Sequence, residues 1–211
     1  MMKKYDLYLF DFDGTILNTM DALDFVFRAS YEHVGIKYDS KYTVEFSRIP
    51  LVAGYEKIHG NPEKFPEFAA YIEKSLDFKE ALESNKPYDD TYEFIKCLRD
   101  HHIRAGIVTS NKIKHVKEVL EVMGIPEDTF EIYIGNKEYT HFKPHPDPIH
   151  QALKKAHYKG ELSRVVYVGD GYNDTLCANN AGVDAVIIDR IKAFPESEKY
   201  IRIENLLELF K

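Results

Sequence analysis

The 211-residue chain has no tryptophan, only two cysteines, and no apolar run approaching the ~18 residues that a membrane-spanning helix needs. The two cysteines, Cys97 and Cys177, form no CxxC pair and fit no cysteine–histidine metal spacing, which argues against a zinc module. Both fall in segments of helical pattern and read as buried free thiols, and nothing calls for a disulfide between them. Clustered positive charge is also missing. The 28 Lys and Arg are scattered and outnumbered by 35 Asp and Glu, for a net charge of -7. That balance argues weakly against a nucleic-acid partner, whose phosphates need basic neutralisation. The N-terminal stretch MMKKYDLYLFDFDG is interrupted by Asp6, Asp11 and Asp13, so it does not read as a signal peptide. The expectation is a cytoplasmic protein with no membrane partner.

What is present is an ordinary globular composition, 44% hydrophobic and 30% charged, with 15 Tyr and 13 Phe that read first as core and rim residues. Short apolar runs cover residues 5–10 (YDLYLF), 103–108 (IRAGIV), 131–134 (EIYI), 165–169 (VVYVG) and 184–188 (DAVII). Each reads as a buried strand, and most end in polar residues. Helical patterns over 88–100, 112–123, 146–157 and 173–181 lie between them, with Gly124 and Gly182 as stops. The alternation implies an α/β fold with an open, doubly wound, Rossmann-like parallel sheet. In such sheets ligands bind beyond the C-terminal ends of the strands, where the polar clusters fall.

Between about residues 19 and 85 the alternation fails. Helical patterns over 20–34 and 63–83 are rich in aromatics, and Pro50, Gly54, Gly60 and Pro62 punctuate the middle. The expected organisation is a catalytic core of residues 1–18 and 86–211 with an α-helical cap, 19–85, inserted after the first strand and rising over the site. Linkers near 16–19 and 83–87 are expected to act as hinges.

At the strand ends stand Asp11 and Asp13, Thr109, Lys143 in a loop before a helix, and Asp170 and Asp174. Several carboxylates in one crevice repel each other and raise their pKa values. A divalent cation removes that cost, and Mg²⁺ takes oxygen ligands, waters and a substrate phosphate oxygen. The cation would also let an anionic carboxylate approach an anionic phosphate. Lys143 would hold a phosphate oxygen and the nucleophilic carboxylate, while Thr109 and neighbouring N–H groups would bind the remaining oxygens. A carboxylate nucleophile splits hydrolysis into two displacements. Asp13, two residues after Asp11 and on the same side of an extended chain, suits general acid–base work.

These segments carry a resemblance. DFDGTILNT (11–19) resembles the nucleophile motif of the haloacid dehalogenase superfamily, VTSNK (108–112) its second motif, KPHPDP (143–148) its lysine motif and VYVGDGYNDTLCANNAG (166–182) its acidic motif. An isolated DxD carries little information; four motifs in the family's order are specific. The resemblance implies a phosphatase acting on a small phosphorylated metabolite through an aspartyl-phosphate. It implies Asp11 as nucleophile and Mg²⁺ ligand, and Asp13 as acid/base and as ligand through its backbone carbonyl. Asp170 would be the third protein ligand, with Asp174 a direct or outer-shell partner. Thr109, Ser110, Asn111 and Lys143 would bind phosphate. The insertion resembles the small helical cap of the phosphoglycolate phosphatase and β-phosphoglucomutase branch. The segment KPYDD (86–90) lacks the Pro-Gly common in that branch, and GDGYND lacks a Ser after the first Asp. A sugar phosphomutase and a catalytically silent binding protein on the same fold stand as alternatives. Asp13 argues against a dehalogenase, in which the second Asp is not used, and against ion-pumping ATPases, which carry Thr there.

Other residues have plainer readings. Thr109 could also cap a helix, and Asp174 could also be a first-turn acid favoured by the helix dipole. Asn111 and Lys112 could belong to a helix start. His141, His145 and His150 fit no metal-ligand spacing and read as surface or supporting residues. Phe25, Phe27, Tyr31, Phe46 and Tyr55 read as cap core; Arg48 and Lys57 could reach an anionic substrate, but read first as ordinary surface cations.

Overall fold

The computed structural model describes residues 3–47, 49, 51–190, 192 and 194–211. Along the chain come β1 (Leu7–Phe10), β2 (Leu17–Asn18), α1 (Met20–His33), α2 (Thr43–Phe46), α3 (Leu51–Lys57), α4 (Phe65–Ser75), α5 (Lys79–Glu83) and β3 (Lys86–Pro87). The alternating part follows: α6 (Thr91–Asp100), β4 (Ala105–Val108), α7 (Ile113–Val122), β5 (Ile132–Ile134), α8 (Asp147–Lys155), β6 (Val165–Gly169), α9 (Tyr172–Ala181), β7 (Asp184–Ile188) and β8 (Ile201–Ile203). The chain divides into two compact units, Met1–Leu17 with Pro87–Lys211, and Asn18–Lys86.

The first unit is built on a six-stranded sheet in the order β5-β4-β1-β6-β7-β8, with every adjacent pair parallel. The doubly wound α/β fold expected from the alternation is therefore present. β1 lies between β4 and β6, with Phe10 opposite Ile107 on one side and Val168 on the other. All four β1 residues are buried, as a central parallel strand covered on both faces requires. From β1 the chain builds outward through β4 and β5, then on the other side through β6, β7 and β8. The reversal occurs at β1, and such a switch point opens a crevice at the carboxyl ends of the strands. Leu7, Leu9, Val108, Ile132, Val165 and Tyr167 share one core cluster with the inner face of α8 and α9.

The second unit is helical. α1 packs on α4 and α5 around an aromatic cluster of Phe27, Tyr31, Tyr38, Phe46, Tyr55 and Phe68. Tyr31 lies at its centre, 5.1 Å from Tyr38 and 4.5 Å from Phe68 between ring centroids. Four of the five aromatics read from the sequence as cap core belong to this cluster; Phe25 does not. The single helix expected over 63–83 is divided. Phe78 is extended, and its ring meets Tyr71 edge-on at 5.9 Å. An unbroken helix would hold those two positions ~10.5 Å apart along its axis. Among the described residues, no helix is long and apolar enough to cross a membrane. Cys177 is buried as expected, whereas Cys97 is partly exposed, and both are free thiols.

Candidate active site

The site grows from the end of β1. The Asp11 N–H donates to Val168 O at 2.8 Å, so the nucleophile-motif loop leaves the sheet still tied to β6. The chain then turns sharply: Phe12 O accepts from the N–H groups of Ile16 and Leu17 at 3.0 and 3.3 Å, and Phe12, between the two aspartates in sequence, is itself fully buried. Gly14 completes the turn at φ +72°, and a Cβ there would lie 2.2 Å from Asp170 Oδ2. Only glycine combines that left-handed backbone with so close an approach.

Lys143 joins the loops. Its ammonium donates to Asp11 Oδ1 and Asp174 Oδ1, both at 2.8 Å, and the three side chains are only 7, 13 and 8% exposed. Burial opposes the Lys143 charge, but the carboxylates of Asp11 and Asp174 outweigh it and hold the ammonium well above the usual lysine range. Burial also pushes the Asp11 carboxyl well above its ordinary value; Lys143 pulls it down, and Asp174, Asp170 and Asp13 add to the rise. Asp170 is pushed up to about 7, first by burial and then by Asp174. One ammonium thus stands against four carboxylates. Asp174 lies in the first turn of α9 and accepts the Gly171 N–H at 3.1 Å. Its helix-start role and its place in the cluster therefore coexist.

Thr109 follows β4, buried, with its N–H on Ile134 O at 2.9 Å. Its hydroxyl accepts the Asn111 N–H at 3.1 Å and caps no helix, since the N-cap position of α7 is Lys112. Asn111 turns its amide to Asp13 Oδ2 at 2.5 Å, and Ser110 is exposed. The lysine loop is fastened by Asp147, which accepts the N–H groups of Thr140 and His141 at 2.7 and 3.1 Å and the Gln151 amide at 3.1 Å. His141, His145 and His150 are exposed, and the His145 ring accepts the Asp147 N–H. In the helical unit Lys57 pairs with Glu45, and Arg48 lies outside the described residues.

Two further residues shape the site. Arg190, just after β7, donates to Asp90 at 3.0 Å and to Thr15 O at 2.8 Å, and lies 3.6 Å from the centre of the Tyr88 ring. It ties the turn after Asp13 to the segment after β3. Tyr167, inside β6, lies beneath Lys143. Tyr167 falls within the acidic-motif segment 166–182 but nothing local marks its contact with Lys143, and Arg190 stands between Asp189 and Ile191 with no spacing that points to Thr15.

The donor set suits a hard divalent cation. Asp11, Asp170 and Asp174 each offer a carboxylate oxygen, and these lie within 4.8 Å of one another. Oxygens across a Mg²⁺ ion are ~4.2 Å apart, so a small contraction would bring them into one coordination shell. The excess of buried negative charge is the charge such an ion would neutralise.

A family model described as haloacid dehalogenase-like hydrolase matches residues 8–188. The chain belongs to the haloacid dehalogenase-like hydrolases. It is 32% identical to the pyrophosphatase PpaX of Anoxybacillus flavithermus, over 82% of this chain and 79% of that one. It is also 32% identical to the phosphoglycolate phosphatase of Colwellia psychrerythraea, over 56% of this chain and 49% of that one. A haloacid dehalogenase-like family hydrolase from Streptococcus pneumoniae shares the fold with a TM-score of 0.79, at 20% identity and covering 99% of this chain and 98% of that one.

Proposed function

We propose that this hydrolase is a Mg²⁺-dependent phosphatase that removes a phosphoryl group from a small phosphorylated compound through an aspartyl-phosphate on Asp11. The observation that carries the reading is the buried ion-pair triad Asp11–Lys143–Asp174 at the switch point of the sheet. Asp11, Asp170, Asp174 and the Asp13 carbonyl would hold Mg²⁺, which would supply positive charge to the phosphoryl oxygens.

With Oδ1 held by Lys143, Asp11 offers Oδ2 to phosphorus. The new bond forms from Oδ2 as the bond from phosphorus to the leaving oxygen breaks, and Asp13 gives its proton to that oxygen. A water then attacks phosphorus and gives its proton back to Asp13 as the Asp11–phosphorus bond breaks. Lys143 and Thr109 bind phosphoryl oxygens, together with N–H groups around Ser110 and Asn111. Asn111 orients Asp13, a role supported by its 2.5 Å hydrogen bond. The helical insert, which enters the chain directly after the Asp11–Thr15 loop, acts as a cap and selects the substrate. Support for the substrate class comes from the relatives' names, a pyrophosphatase and a phosphoglycolate phosphatase.

The test is phosphate release from a panel of pyrophosphate, phosphoglycolate, sugar phosphates and nucleotides, with Mg²⁺ and with EDTA. Wild type should release phosphate only with Mg²⁺, and Asp11→Asn should lose that release. No release from any compound sinks the reading, as does full activity in Asp11→Asn.

A further inference from the structure

Tyr167 stands in the middle of β6, opposite Leu9 on β1 and Ala185 on β7, and is 1% exposed. Its neighbours in the strand, Val165, Val166, Val168 and Gly169, are apolar and buried. Its hydroxyl lies 2.9 Å from Val108 O, at the end of β4, and 3.2 Å from Asp174 Oδ1. A phenol has one proton to donate, so these two acceptors share it. The Lys143 ammonium lies 5.2 Å from the ring centre, within the range at which a cation is attracted to an aromatic face.

Asp174 is therefore held on both oxygens: Oδ1 by the Tyr167 hydroxyl and the Lys143 ammonium, Oδ2 by the Gly171 N–H. A role in packing alone does not account for this hydroxyl. Val108 O would satisfy a buried phenol by itself, and phenylalanine would fill the same space without one. The second acceptor is the carboxylate that shares Lys143 with Asp11.

We propose that Tyr167 is a positioning residue for phosphoryl transfer, its hydroxyl fixing Asp174 and its ring supporting Lys143 so that Lys143 keeps Asp11 in line. The proposal rests on Asp11 being the nucleophile. Tyr167 touches neither the reacting phosphorus nor the leaving group, so its effect reaches the reaction through Asp174 and Lys143.

The experiment is Tyr167→Phe in the full chain, which keeps the ring and removes the hydroxyl. Three quantities are measured: kcat and KM on the best compound of the panel, Mg²⁺ binding by calorimetry without substrate, and thermal melting. The expected result is a fall in kcat of about tenfold, the low end for partners that orient a metal ligand. KM should stay within about twofold, Mg²⁺ binding should weaken severalfold, and Tm should stay close to wild type. In an Asp174→Asn background, the same substitution should change Mg²⁺ binding by less than about twofold, because its target has been altered. Unchanged kcat and Mg²⁺ binding with a lower Tm would make Tyr167 a packing residue and overturn the proposal. So would an undiminished effect in the Asp174→Asn background. A wild type that neither releases phosphate nor takes up Mg²⁺ overturns the phosphatase reading and this proposal with it. An active wild type with an unaffected Tyr167→Phe variant overturns this proposal alone.

Discussion

Asn111 donates its side-chain amide to Asp13 across 2.5 Å, linking the loop after β4 to the loop after β1. The bond fixes the direction of a carboxylate assigned to acid–base work, and that work is worth about 10²–10⁴ in rate when geometry is right. Asn111→Ala is expected to lower kcat by about tenfold, with Tm near wild type. Steady-state kinetics and a thermal melt check both, and an unchanged kcat would detach Asn111 from the reaction.

Gly14 and Gly124 separate backbone strain from crowding. Both have positive φ, +72° and +66°, but a Cβ at Gly124 meets nothing within 4 Å, whereas at Gly14 it meets Asp170 at 2.2 Å. Gly124→Ala should cost about 1–2 kcal/mol, the left-handed penalty alone. Gly14→Ala should cost more and should abolish activity by displacing Asp170. Denaturant unfolding of the two variants compares them directly, and equal losses would contradict the crowding argument.

Asp147 sets a pH window. Its carboxyl is held down at about 2, by the Gln151 amide first and then by the N–H groups of Thr140 and His141. A carboxyl whose pKa is lower folded than unfolded stabilises the fold above the unfolded value of about 3.9. The stabilisation is then lost as pH falls through the folded value. The stability difference between wild type and Asp147→Asn should therefore be constant at neutral pH and shrink between about pH 4 and 2. A difference that is flat across that interval would rule out the assigned hydrogen bonds.

Tyr31 and Tyr38 stack in the helical unit, yet their hydroxyls differ. Tyr38 bonds Thr43 at 3.0 Å, while the Tyr31 hydroxyl is buried with no partner among the described residues. Tyr38→Phe should destabilise by about 1 kcal/mol, and Tyr31→Phe should stabilise by a similar amount, because a buried unsatisfied hydroxyl is removed. Thermal melts of both variants give the two signs.

The sheet was legible because its strands are short apolar runs broken by polar ends. The runs at 165–169 and 184–188 coincide with β6 and β7, and the other three contain β1, β4 and β5. β8 leaves no apolar run in the sequence, because it is three residues long, lies at the edge, and carries Arg202 between two isoleucines. α3 was hidden by Gly54, which reads as punctuation. In the fold a Cβ at Gly54 would lie 3.2 Å from the Phe46 ring, so the glycine serves a close approach within a helix. In the site, the acidic and lysine positions were legible from their motifs. Asn111 turning to Asp13, the reach of Arg190 to Thr15, and Tyr167 beneath Lys143 were not. Each depends on which residues the sheet order makes neighbours, and no local spacing encodes that.

The sheet order also governs how the chain comes together during synthesis. β1, with Asp11 at its end, is made first, but its partners begin at Ala105 on one side and Val165 on the other. The aromatic cluster of the helical insert is complete by Phe68, so all its partners emerge from the ribosome before either neighbour of β1. Domains form as units as they are synthesised. The insert can therefore close its aromatic core while the strand that precedes it still lacks both neighbours, and Asp11 can meet Lys143 and Asp174 only after residue 174 has been made.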